Sequence, residues 1–263
     1  MCYNTFMLSW SAKRKIVYIL VLIILIGTPS GFYIYNKMQR PPSCSDGLQN
    51  QNERGVDCGG ICQIACFDHV KENPDIQWSR AYYVAPGIYN LVAYIQNPNI
   101  EYISRPVKYI FRVYDSQNIL IGSREGVVGI PTSKIFPIFE PTIDTGKLIP
   151  KIVTFEFIEP VTWIEYFGNK PELEVKEQVL TRTDTAPKLD VKIVNKTLNT
   201  YKNVEVIAII YNEEGNGVLS SRTYIDIIGD KAEAGVVFTW PEPLTFKPSK
   251  VEVIPNLSLK EYK

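Results

Sequence analysis

The sequence is nearly without histidine: His69 is the single imidazole among 263 residues. It falls in a polar connector, so a Ser-His-Asp triad inside a folded domain, a Cys-His pair and any multi-histidine metal site are excluded. No Walker loop, dinucleotide fingerprint or nucleophile elbow is present. A Ser-Lys dyad survives simple counting, but no S-x-x-K serine at a helix start accompanies it. The adjacent carboxylates Glu213 and Glu214 sit in NEEGNG, a turn composition that reads as solvated. Charge of one sign is also lacking: lysine plus arginine equals aspartate plus glutamate at 28 each, so no long-range field draws nucleic acid. These absences point away from an enzyme and away from a nucleic-acid binder. Beyond the N-terminal region no apolar period of 3.6 residues is sustained, and 16 tyrosines with repeated Val/Ile runs favour strands.

What is present begins with an apolar run. Ile16 to Tyr35, IVYILVLIILIGTPSGFYIY, holds no formal charge and as a helix spans about 30 Å, one bilayer core. Lys13, Arg14 and Lys15 precede it; Lys37 and Arg40 follow. The positive-inside tendency places the tail 1–15 in the cytoplasm, the span at 16–36 and the rest outside. A buried core helix would not be apolar all round. A cleaved signal peptide competes, because Ile16 to Ile26 has the length of an apolar signal core and Thr28 and Ser30 are small enough for cleavage. The resumption of the run at FYIY, with aromatics suited to the outer interface, favours an uncleaved anchor in contact with the lipid bilayer.

After a linker at 37–43, four cysteines cluster at Cys44, Cys58, Cys62 and Cys66, and none follows. A segment of this length buries no core and needs a staple. Two disulfides suit an oxidising compartment, with three pairings open. Zinc on four thiolates is the alternative, but zinc sites favour CxxC pairs over the CxxxCxxxC spacing found here. Asp46, Asn50, Glu53 and Asp57 recur every three or four residues among glycines. Such hard oxygen donors could hold calcium, and equally could serve the turns that Gly47, Gly55, Gly59 and Gly60 permit.

Taken together, C-x-D-G-x-x-N-x-x-E-x-G-x-D-C-G-G-x-C-x-x-x-C over 44–66 resembles a short cysteine module of bacterial envelope proteins. In those proteins the module often lies between a membrane segment and β-rich repeats. The resemblance implies a cell-envelope setting and carries no assigned activity.

A connector at 67–76 leads to two strand-rich halves, 77–165 and 175–260, separated near 166–174. Pro106 marks the entry to a strand at Val107–Tyr114, with Val107, Tyr109, Phe111 and Val113 on one face. Further strands are expected at Ile88–Ile95, Ile119–Ser123, Lys134–Phe139 and Lys151–Phe157. In the second half Leu189, Val191 and Ile193 alternate with polar residues. Val204, Val206, Ala208 and Ile210 form one face of another strand; Val236, Phe238 and Trp240, then Val251 and Val253, complete the pattern. VKYIFRVYD aligns with VEVIAIIYN at an offset of 97 residues (204 − 107). VAYIQNPN then pairs with VKIVNKTL, and IFEPTI with TWPEPL. Two tandem β-sandwiches that fold independently fit this repeat.

FRVYD, Phe111 to Asp115, resembles the signature of the FxLYD family of immunoglobulin-like domains, with Val113 in the leucine position. The second copy keeps Tyr211 and replaces the final acid by Asn212. The resemblance implies a structural or interaction module, anchored in a membrane and without a cofactor beyond the calcium considered above. A membrane-tethered binding module with a protein partner outside the cytoplasm is therefore expected, and an accessory subunit of an envelope assembly is the alternative. Tyr82, Tyr83, Trp163, Tyr166 and Phe167 either form a binding patch, or cap the core or pack against the neighbouring domain; Asn195 and Asn256 begin glycosylation sequons.

Overall fold

The computed structural model describes residues 10–38, 44–50, 52–66 and 72–258. His69 lies outside the described residues. The first element, α1 (Trp10–Met38), runs through Thr28-Pro29-Ser30-Gly31 without interruption. Pro29 has no N–H to give to the preceding turn. The carbonyl that this leaves without its helical donor is that of Leu25; one residue earlier, Thr28 Oγ1 donates to the carbonyl of Ile24 at 2.5 Å. Lys13–Asn36 within α1 is long and apolar enough to cross a membrane.

The rest is β-structure in two halves of one topology. In the first half β1 (Asp75–Ala85), β2 (Ile88–Gln96) and β6 (Ile135–Asp144) form a sheet in the order β1-β2-β6. The facing sheet is β5-β4-β7, from β4 (Val107–Tyr114), β5 (Leu120–Val128) and β7 (Ile152–Phe157). A short pair, β3 (Tyr102–Ser104) with β8 (Trp163–Glu165), closes one end. In the second half β9 (Leu173–Thr181), β10 (Lys188–Asn195) and β13 (Glu233–Thr239) form one sheet. β11 (Tyr201–Asn212), β12 (Gly217–Ile228) and β14 (Pro248–Asn256) form the other, in the order β12-β11-β14. Strand for strand, β4 and β11 hold equivalent central places, as the 97-residue offset anticipates.

Two small devices recur in both halves. Asp115 Oδ1 accepts the N–H of Ile119 at 2.9 Å, and Asn212 Oδ1 accepts that of Asn216 at 2.8 Å. Both turns place a left-handed residue third, Asn118 (φ 60) and Gly215 (φ 77). The motif position thus needs a side-chain acceptor, which Asn supplies as well as Asp. The second device is a fully buried asparagine ending the second strand of each half, Asn97 and Asn195. Asn97 Nδ2 donates to Pro131 O and Asn195 Nδ2 to Gly229 O, each at 2.7 Å. Their Oδ1 atoms accept the N–H two residues on, from Asn99 and Thr197. With its amide buried and donating twice, Asn195 has no hydrogen to lose to a glycan in the folded protein.

The halves are not beads in series. On β2, Leu91, Ala93 and Ile95 enter the first core while Val92 and Tyr94 face the opposite way. On β11, Val204, Val206, Ala208 and Ile210 enter the second core while Ile207, Ile209 and Tyr211 face the opposite way. These outward faces meet. Tyr82, Val92, Phe139, Ile207 and Ile209 are buried together in a third apolar cluster. The order of layers is β5-β4-β7, β1-β2-β6, β12-β11-β14, β13-β10-β9, with both inner sheets buried on two faces. Burying five such side chains contributes about 10 kcal/mol gross, comparable to the whole stability of an ordinary domain.

Candidate functional site

The collar is the first candidate. Cys44–Cys62 and Cys58–Cys66 are disulfides, closing separations of 18 and 8 residues. Its last residues add an edge to the first sandwich: Ala65 N donates to Trp163 O, and Glu165 N to Gln63 O, both at 3.0 Å. The carboxylates act as turn acceptors. Asp57 takes the N–H groups of Asp46 and Gly47 at 2.9 and 2.8 Å, Asp46 Oδ1 that of Leu48, and Glu53 Oε2 that of Asn50. Asn50 Nδ2 donates to Asp46 Oδ2.

Among the described residues, the three metal-ligating side chains that converge within 4.8 Å are Cys44, Glu53 and Cys62. Both sulfurs of that group are already joined to each other, so no thiolate is available to a metal. Asp46, Asn50, Glu53 and Asp57 thus knit one loop, and their carboxylates do not gather around a common point. Reducing both disulfides should free the 44–60 loop and leave the β-block folded, because 63–65 hold to β8 by backbone bonds. Limited proteolysis with and without reductant should then show new cuts confined to the collar. Loss of the loop constraint alone amounts to about 3 kcal/mol for the longer bridge.

Of the motif residues Phe111, Tyr114, Asp115, Tyr211 and Asn212, Tyr114 ends β4, Asp115 and Asn212 hold the turns described above, and Phe111 and Tyr211 pack inside the β-block. Phe111 is fully buried, with ring centroids 4.9 Å from Phe155 and 5.9 Å from Tyr109. Tyr211 reaches into the seam between the halves, where its hydroxyl and that of Tyr94 both donate to the Glu252 carboxylate, at 2.7 and 3.0 Å. Burial, then the nearby Glu252 charge, holds both phenols above the ordinary tyrosine range, so they remain donors. Replacing Glu252 by leucine leaves two half-buried hydroxyls unpaired. It should lower unfolding stability by about 2 kcal/mol, read as a fall in the denaturant midpoint.

Of the aromatics singled out in the sequence, Tyr82 and Trp163 are buried, in the seam and the first core respectively. Tyr83 is 39% and Phe167 74% exposed, and Tyr166 donates to Asn169 O. They do not form one patch.

The seam itself opens into clefts that the sequence did not reveal. The larger, about 690 Å³, lies beside Phe139, Glu140, Glu205, Arg222 and Tyr224. Tyr109 donates to Glu140 at 2.7 Å, and burial followed by that bond raises its pKa. Gly126 makes this reach available, since a Cβ there would stand 2.3 Å from the Tyr109 hydroxyl. Arg222 bridges the halves, donating to Phe139 O at 3.2 Å and to Glu205 at 3.0 Å. The smaller, about 220 Å³, lies where β12 and the 239–246 loop meet Tyr83 and Asn90 of the first half.

No protein-family profile and no curated protein matches the chain. Among solved structures, red sea bream transglutaminase aligns with a TM-score of 0.24 at 8% identity, over 68% of this chain and 29% of its own. The chain therefore spans under a third of that enzyme. The calcium-binding domain CBD12 of CALX1.1 aligns with a TM-score of 0.20 at 14% identity, over 69% and 82%. At such scores no activity or ligand of either protein transfers to this chain.

Proposed function

We propose that the protein is a non-enzymatic, membrane-tethered binding module held outside the cytoplasm. The observation that carries this reading is the face-to-face fusion of the two sandwiches, which makes one rigid block with clefts along its seam. A stapled collar joined to β8 connects that block toward an apolar helix long enough to span a bilayer. The resemblance of 44–66 to an envelope cysteine module, and of FRVYD to interaction domains, supports the same setting. The charge order around α1 orients it with Lys13 to Lys15 inside.

A reporter that folds only in the cytoplasm, fused after Lys263, should be silent. Photo-crosslinkers at the cleft rims, Tyr83 and Tyr224, should yield adducts in native membranes. A bright reporter would reverse the topology and remove the reading.

The accessory-subunit reading has its own observation. Leu120 and Ile152 flank Tyr114 on adjacent strands, and both are exposed beside Ile119 at the end away from β8. Adducts confined to Leu120 and Ile152 probes, with none at the cleft rims, would favour a subunit docked through that end.

A further inference from the structure

Three exposed apolar side chains line up at the end of the β-block that carries the collar. The ladder there is three segments wide. Residues 63–65 pair with β8 through Ile64 opposite Ile164, and β8 pairs with β3 through Tyr102 opposite Glu165. Two backbone bonds hold the same register, Glu165 N donating to Gln63 O and Tyr166 N to Glu101 O, both at 3.0 Å. Carried two residues past Glu165, that register brings Phe167 opposite Ile61 on one side and opposite Ile100 on the other. Phe167 is 74% exposed, and Ile61 and Ile100 are exposed as well. Single apolar residues scattered over a surface are ordinary, but a row set by one ladder is a built feature. Charged pairs flank it: Lys170 with Glu101 at 2.5 Å, and Arg54 with Glu165 at 3.8 Å.

The connection to α1 tells what covers the row. Cys44 is bonded to Cys62 with their Cα atoms 5.5 Å apart, so the segment arriving from α1 is fastened beside Ile61. Met38 ends α1, and Cys44 comes six residues later (44 − 38). Even fully extended, that stretch reaches only about 20 Å. Lys13–Asn36 is the part of α1 long and apolar enough to cross a bilayer. The headgroup layer outside the hydrocarbon core is itself about 5–8 Å thick. The row is therefore tied close to the lipid, whereas Leu120 and Ile152 at the other end of the block have no such tie. Aromatic and aliphatic side chains gain by entering the boundary between headgroups and acyl chains. Lysine and arginine beside them can keep their charged heads among the phosphates.

We propose that the row formed by Ile61, Phe167 and Ile100 is a second membrane contact. It dips into the outer boundary of the bilayer that α1 spans, with Arg54 and Lys170 at headgroup level. The β-block then stands on its collar end instead of moving freely on its tether, and the seam clefts are held at a fixed height above the lipid. The inference rests on the membrane-anchor reading and adds to it a lipid contact outside the spanning segment.

The test uses the full chain in nanodiscs of phosphatidylcholine and phosphatidylglycerol. A photo-crosslinking amino acid is placed in turn at Ile24 within α1, at Phe167, at Ile100 and at Ile149. Ile149 is the matched control, 74% exposed like Phe167 but in the connection from β6 to β7, at the end away from β8. Mass spectrometry should find lipid adducts at Ile24, Phe167 and Ile100, and none at Ile149. Phe167→Asp should lower the lipid adduct at Ile100 by roughly tenfold, the effect of withdrawing one half-buried aromatic side chain from an apolar layer. Phe167→Leu should keep most of it. Should Phe167→Asp fail to fold, the Ile100 and Ile149 probes in the otherwise unchanged chain still decide. Lipid at Ile24 with none at Phe167 or Ile100 overturns the second contact and leaves the anchor in place. Equal labelling at Phe167 and Ile149, or labelling at Ile100 that ignores Phe167→Asp, overturns it as well. No lipid at Ile24 removes the anchor reading, and this inference with it.

Discussion

Replacing Ile209 by aspartate should unfold both halves of the β-block together. Ile209 is fully buried, yet it belongs to neither sandwich core; it lies in the seam with Tyr82, Val92, Phe139 and Ile207. A carboxylate there loses the apolar contribution of the isoleucine and must either stay charged without a partner or take up a proton. Together these effects cost about 5 kcal/mol or more, enough to remove most of an ordinary domain's stability. Val179→Asp is the matched control: Val179 is 54% exposed on an outer sheet, and the change there should stay within about 0.5 kcal/mol. Circular dichroism of Ile209→Asp should lose the whole β signal in one step. A surviving transition of half amplitude would mean that one sandwich stands without the seam. For the same reason Phe111→Asp, in the first core, should melt the second half as well, although the sequence suggests domains that unfold separately.

The second large effect concerns the buried asparagines. Asn195 uses its full bonding capacity: Nδ2 donates to Asn199 O and Gly229 O, and Oδ1 accepts from the N–H and hydroxyl of Thr197. Leucine has a similar volume but offers none of these bonds, so it strands the Asn199 carbonyl and the Thr197 backbone N–H, while Gly229 O keeps the N–H of Ala232. At about 1–3 kcal/mol for each of the two stranded groups, Asn195→Leu should cost about 2–6 kcal/mol. Asn97→Leu should act in the same direction but cost less, since Asn97 fills the equivalent place 98 residues earlier (195 − 97) with two of the four bonds, Nδ2 to Pro131 O and Oδ1 from the Asn99 N–H. Denaturant midpoints of the two variants should therefore both fall, that of Asn195→Leu by more. If one falls steeply and the other hardly moves, the two asparagines are not equivalent.

Much of the fold is legible in the residues, for identifiable reasons. Pro106 and the inward alternation of Val107, Tyr109, Phe111 and Val113 define β4 to the residue. Alternation is a strong signal where one face of a strand is buried and the other wet. It fails where both faces are buried, because every position is then apolar. That is the case in VEVIAIIY of β11 and LVAYI of β2, whose continuous apolar runs carry the seam. Read for one face only, Ile207 and Ile209 have no assigned place. The available signal was the unbroken run itself, which marks a strand covered on two sides.

Strand ends were also harder to see than strand centres. β5 extends to Val128 and β6 to Asp144, several residues past their apolar stretches, because partner strands continue the ladder where side chains no longer report it. Cysteine pairing lay beyond the sequence, since four cysteines in one short loop permit three pairings and only the folded loop selects Cys44–Cys62 with Cys58–Cys66. The clefts were invisible for a deeper reason. Ser220, Trp240, Asn90 and Glu242 come from both halves of the chain, and only the seam brings them together.

The central claim is that two sandwiches of the same strand order are fused through their inner sheets into one unit. Scanning calorimetry of the full chain tests it most directly. Fusion predicts a single heat-absorption peak for the β-block whose van't Hoff enthalpy equals the calorimetric enthalpy. Two resolved peaks, or a van't Hoff enthalpy near half the calorimetric value, would show that the halves unfold separately and would contradict the account.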